Sequence, residues 1–167
     1  MELDAASVVV LWERELPAEA TTGPVVVRDV IWVGVGDGVR GYDIFDGGQR
    51  YAVGDAAAVD RLVVEGDRVA WTSEAGRAYV LDARSGSVEV EVEGVEPAYA
   101  PLLAEAGMLV WVEGALSWYD FEAGESRYWT RITASWPGLP ETPPVMVGRH
   151  VLFATELRGL VGVRPGG

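Results

Sequence analysis

The sequence predicts an all-β protein: a β-propeller of four four-stranded antiparallel blades, the last blade completed by the N-terminal strand. Three observations carry this expectation. Aromatic-centred strands recur at Val30–Val35, Arg68–Ser73, Met108–Glu113 and His150–Thr155, and stack Trp32, Trp71, Trp111 and Phe153 at steps of 39, 40 and 42 residues. A period near 40 belongs to solenoids and propellers. Between Ser87 and Glu93, Val88, Val90 and Val92 alternate with Glu89, Glu91 and Glu93, the two-residue period of a strand with one wet face. Glycine follows a small or acidic residue at Asp37-Gly38, Asp46-Gly47, Ser85-Gly86 and Ala123-Gly124, where tight hairpins need positive φ.

Taken in order, the chain opens with a strand over 8–16 that precedes the first unit. Unit one covers about 24–54, from Pro24 through the Trp32 strand to Gly41–Gly48. Unit two, about 59–93, shows the pattern most fully. Arg61–Val64, a turn at Glu65-Gly66-Asp67, the Trp71 strand, Arg77–Asp82 and Ser87–Glu93 make four antiparallel strands, the content of one blade. Unit three covers about 101–132, and Leu102–Leu109, the one helix-tolerant stretch, is interrupted by Gly107. Unit four, about 144–164, supplies three strands and then the chain stops. Leu11-Trp12-Glu13-Arg14 resembles Tyr128-Trp129-Thr130-Arg131, the fourth strand of unit three, so the N-terminal strand is the expected missing piece. Pairing it with the last blade removes an exposed strand edge. The pairing either closes one chain as a monomer or exchanges between two chains, giving a homodimeric ring of eight blades.

The 167 residues fit one domain, 1–167, with 49% hydrophobic and 23% charged residues. Against 26 Asp and Glu stand 13 basic residues, all Arg, a net charge of -13 that repels a nucleic-acid backbone. Lys, Asn and Cys do not occur; a GC-rich genome gives such a list, and so does a thermophilic origin. Without Cys there is no disulfide or thiolate metal site. Met1–Ser7 lacks the basic start and apolar run of a signal peptide, and no stretch approaches a membrane span of about 20 apolar residues. The chain reads as soluble, cytoplasmic as written and periplasmic where a signal peptide has been removed.

Pro-Val-Val-Val-Arg-Asp-Val-Ile-Trp (24–32), Gly41–Gly48, Gly76–Gly86 and Ser117–Trp129 together resemble the repeats of pyrroloquinoline-quinone-type propellers: apolar strand, glycine turn, aromatic strand, then a tyrosine- and aspartate-bearing strand. Unit two has Val90 where the family's Trp stands, and unit four loses the Asp, with Pro165 near its place. The family includes calcium- and quinone-dependent dehydrogenases as well as cofactor-free members. Its enzymes carry adjacent cysteines and an Asn, Asp and Glu calcium site, and a chain without Cys or Asn does not inherit that activity. The resemblance therefore implies a cofactor-free member.

The residues that could carry chemistry read as architecture. Gly36-Asp37-Gly38-Val39-Arg40-Gly41 matches a dinucleotide fingerprint, but a strand and turn follow it where that motif needs a helix. His150 is the single histidine, which excludes a multi-histidine metal site within one chain. Asp43, Asp82 and Asp120 repeat, the pattern of side chains capping turns. Trp32, Trp71, Trp111 and Phe153 repeat once per unit, which fits packing between blades. The segment Tyr128–Pro144 breaks the pattern. Arg127, Trp129, Arg131 and Trp136 combine aromatic area with positive charge on an acidic protein, the residue types of binding anchors. The expected function is a non-catalytic scaffold for protein–protein interaction or ligand binding, with a protein partner, no metal and no cofactor. The alternatives are an enzyme holding a cofactor or metal in the central channel, or one half of an eight-bladed ring.

Overall fold

The computed structural model describes residues 9–112, 115–131, 145–147, 150–155 and 159–163, and for 125–131 the backbone alone. Glycine turns and runs of β-branched residues favour short strands over helices, and four antiparallel sheets result among the described residues. The first consists of β1 (Val25–Val27), β2 (Val30–Val35), β3 (Gly38–Asp43) and β4 (Gln49–Val53), in chain order. The second consists of β5 (Ala58–Glu65), β6 (Arg68–Ser73), β7 (Arg77–Asp82) and β8 (Val88–Glu93). In the third, β9 (Leu102–Ala104), β10 (Gly107–Val112), β11 (Ala115–Asp120) and β12 (Glu125–Arg131) repeat that order. The fourth has three strands, β13 (Val145–Val147), β14 (His150–Thr155) and β15 (Gly159–Val163). The helix-tolerant Leu102–Leu109 forms β9, a turn at Glu105-Ala106 and the start of β10.

Consecutive sheets pack face to face. Val30, Trp32 and Val39 of the first meet Val69, Trp71 and Leu81 of the second. Ala70, Ala78 and Val80 on the opposite face of the second meet Leu103, Met108 and Val110. Leu109, Trp111 and Leu116 meet Val151 and Phe153. Trp32 and Trp71 are 0% exposed, so the repeated aromatics are core. Their sequence alignment nevertheless hides a difference. Counted from the residue opposite the aspartate that ends the third strand (Val30 opposite Asp43, Arg68 opposite Asp82, Gly107 opposite Asp120), the tryptophan comes two, three and four positions later. Because side chains alternate with period two, one position flips the face. Trp32 and Trp111 therefore point toward the following sheet and Trp71 toward the preceding one. Aromatics meet between sheets one and two, and again at the Trp111–Phe153 edge contact, with centroids 6.2 Å apart. Between sheets two and three the buried contact is made by aliphatic residues and Met108, with Tyr119 and Phe121 half-buried against it.

The outer strands share one irregularity. Pairing skips Arg50 in β4, Glu89 in β8 and Trp129 in β12, each an extra residue opposite its neighbour strand. These positions are 39 and 40 residues apart, so the bulge belongs to the repeat and sharpens the twist of each outer strand.

The expected outer strand over 8–16 differs from the structure. Residues 9–16 form no strand, and among the described residues β15 pairs with β14 alone. The Trp12 and Arg14 side chains donate instead to the first sheet, and no hydrophobic cluster of described residues joins the fourth sheet to the first.

Candidate functional site

Among the residues singled out in the sequence, Arg127, Trp129 and Arg131 lie on β12, where Arg127 faces Trp118 and Arg131 faces Ala115. The pairing skips Trp129, which forms the bulge of this strand. Trp136 lies outside the described residues, as does the whole connection from β12 to β13, residues 132–144. The structure thus brings three of the four onto one strand, in a position the repeat accounts for. Gly36-Asp37 forms the β2–β3 turn, so the dinucleotide-like string is a hairpin. His150 opens β14, exposed and opposite Val147.

The aspartates cap turns as their repetition suggests. Asp43 Oδ1 accepts from the amide of Phe45 at 2.7 Å, Asp82 Oδ1 from Arg84 and Ser85 at 2.8 Å each, and Asp120 Oδ1 from Glu122 at 3.0 Å and Ala123 at 2.9 Å. These amides hold the Asp43 and Asp82 carboxyls below the usual range, with the Arg50 and Arg84 guanidiniums adding to the effect. Near the β5–β6 turn, Asp67 takes Arg28 at 2.5 and 3.1 Å and also Arg84, and its carboxyl falls to about 2. Arg68 bonds Glu89 at 2.8 Å and the Glu105 carbonyl at 3.0 Å, and lies 4.6 Å from the Phe121 ring centroid. An open cleft of about 420 Å³ runs among Asp67, Arg68, Asp82, Arg84, Glu89 and Glu105. Both of its guanidiniums are engaged by carboxylates, so the cleft is an ion-pair lattice tying hairpin tips of neighbouring sheets. Among the described residues no group of three or more His, Asp or Glu is placed to hold a metal ion, and no helix is long and apolar enough to cross a membrane.

The feature that sequence reasoning missed lies on the outer face of the first sheet. Ile31, Val33 and Tyr42 line an apolar cavity of about 300 Å³, closed on one side by Trp12, Leu16 and Thr22. Tyr42 is 5% exposed, and its hydroxyl has no hydrogen-bond partner among the described residues. A buried hydroxyl without a partner is costly.

The segment beside this cavity follows the repeat's geometry. Trp12 Nε1 donates to the Ile44 carbonyl at 3.0 Å and Arg14 Nε to the Gly47 carbonyl at 2.9 Å. Tyr51, on the outer strand of sheet one, donates to the Arg84 carbonyl of sheet two at 2.6 Å. A Cβ at Gly47 would sit 2.6 Å from the Trp12 ring, and one at Gly86 2.4 Å from the Tyr51 ring. Trp12 and Tyr51 are 39 residues apart, as are Gly47 and Gly86. Trp12 is therefore placed against sheet one as the outer-strand Tyr51 is placed against sheet two. The chain leaving each of these segments is also held alike. Ala20 bridges Val35 as Val95, after β8, bridges Val112. The amide of Gly36 donates to Glu19 O as the amide of Glu74 does to Ala57 O. The sequence signal was present in the 39-residue interval from Trp12 to Tyr51.

No family model matches the chain, and no curated protein matches it. Solved structures do. BamB from Moraxella catarrhalis is 20% identical with a TM-score of 0.70, over 92% of this chain and 49% of that one. The computationally designed Ika4 protein is 16% identical with a TM-score of 0.71, over 91% and 94%. The β-propeller domain of Myceliophteria thermophila Cps50 (Swd1) is 14% identical with a TM-score of 0.69, over 90% and 55%. The chain thus spans about half the length of the first and the third and nearly all of the second. At these identities the likeness shows the fold alone, a β-propeller arrangement of the sheets.

Proposed function

We propose that the chain is a non-catalytic β-propeller scaffold for protein–protein interaction, a cofactor-free relative of the pyrroloquinoline-quinone-type repeats. Its four sheets are four blades, and residues 9–16 are the outer strand of the blade that stands before β1. The observation that carries the reading is the unfinished seam. The first sheet leaves Ile31, Val33 and Tyr42 facing an apolar cavity, while Leu160 on the last strand is 76% exposed and Leu11 84%. Apolar surface gathered beside an unpaired strand edge marks an interaction site. A second contact surface is proposed on β12 and the connection after it, where Arg127, Trp129, Arg131 and Trp136 offer anchor chemistry.

The test is affinity capture from native extract with the wild-type chain, Ile31→Asp and Trp136→Ala. A retained protein that is lost with Ile31→Asp supports the seam, and one lost with Trp136→Ala supports the second surface. Retention of nothing, or equal retention by all three, refutes the reading.

A further inference from the structure

We infer that the occupant of the seam is a second copy of this chain: two molecules form one ring of eight blades, and residues 9–16 of each supply the outer strand of the other's last blade. This rests on the scaffold function proposed for the chain and names its partner. Two features of the described residues point to it. At one end the Trp12 segment is already docked on its own first sheet as an outer strand docks on the sheet that follows it. At the other end, β15 carries a free edge among the described residues.

The two ends fit in register. In the first sheet, the third residue of the second strand, Trp32, faces Gly41, and Gly41 faces Tyr51. That glycine is required by the aromatics around it, since a Cβ there would lie 2.9 Å from Tyr51 and 3.1 Å from Trp32. In the fourth sheet the third residue of β14, Leu152, faces Gly162. Carrying the register over sets Trp12, the counterpart of Tyr51, opposite Gly162, and Glu13 opposite Val161. The same step places the exposed Leu160 on the side of the sheet that turns toward Ile31, Val33 and Tyr42.

Among the described residues of a single chain the fourth sheet and the Trp12 segment are unjoined, which is the reason for assigning the strand to another molecule. Area points the same way. With strands about 4.8 Å apart and a rise of about 3.3 Å per residue, a blade face of four five-residue strands presents roughly 300 Å². A twofold ring covers two such faces per chain, roughly 600 Å², and adds a paired strand, reaching the order of 800 Å² per partner found in stable complexes. Closure of one chain on itself would cover the same faces without a partner, so the mass in solution separates the two outcomes.

Molar mass by light scattering over a dilution series decides. The inference expects twice the 17.9 kDa of one chain for wild type, and a fall to one chain's mass for Leu160→Glu with unchanged circular dichroism, since that side chain is already exposed in the single chain. Wild type at 17.9 kDa throughout overturns it, as does a double mass that survives both Leu160→Glu and Ile31→Asp. A monomer that still captures another protein through Ile31 would sink this inference and leave the scaffold function standing; a monomer that captures nothing would sink both.

Discussion

Alanine at position 47 isolates the contact on which the proposed strand completion depends. Gly47 has φ +66 and Gly66 has φ +59, so either substitution forces an L side chain into left-handed backbone, at about 1 kcal/mol. At Gly66 the new Cβ meets nothing within 4 Å, and the backbone term is the whole effect. At Gly47 the Cβ falls 2.6 Å from the Trp12 ring and 3.1 Å from Arg14. The ring must leave, and its hydrogen bond to Ile44 O goes with it, worth about 1 kcal/mol net. Gly47→Ala should therefore cost about 1 kcal/mol more than Gly66→Ala, read as a larger drop in urea midpoint at unchanged slope. It should also speed amide exchange at Thr21 and Gly36, whose bonds join the segment to the first sheet. Gly66→Ala should leave both amides protected. Equal midpoints together with equal protection would refute the idea that Trp12 is seated on that glycine.

Further outcomes come from the core, the polar contacts and the ion pairs. Trp71→Ala, deleting a fully buried side chain stacked on Tyr79 at 4.9 Å, should cost about 3–5 kcal/mol by denaturant unfolding. Thr22 Oγ1 accepts from the buried amide of Gly34 at 2.9 Å, so the near-isosteric Thr22→Val should cost about 1–3 kcal/mol by the same method, against little change for Thr22→Ser. Asp67 has a folded-state pKa of about 2 against an ordinary 3.8, so its stabilisation is present above pH 3.8 and is lost as pH falls toward 2. Melting temperature followed through that window should fall more steeply for wild type than for Asp67→Asn.

Much of the sheet order was legible because glycine turns, the 39- to 42-residue period and the valine–glutamate alternation of β8 all point to the same hairpins. The turn role of Asp43, Asp82 and Asp120 was legible for the same reason, being set by local backbone. The faces of the tryptophans were not. Aligning Trp32 with Trp71 fixes the strand but not its register against β3 and β7, and one residue of register decides which sheet the ring meets. The cavity was also hidden, because Ile31, Val33 and Tyr42 come together only across the β2–β3 pairing and under the Trp12 segment. Arg127, Trp129 and Arg131 were found from composition, whereas the bulge at Trp129 is a property of pairing.

Because the chain contains no cysteine, one introduced pair gives an unambiguous cross-link. Glu13→Cys combined with Val161→Cys, oxidised and sized under denaturing conditions, reports whether the N-terminal segment lies along β15 and in which molecule. A rapid disulfide giving a species of double mass is the result expected. No disulfide at this pair or at the adjacent registers would contradict strand completion outright, and a disulfide within one chain would return the ring to four blades.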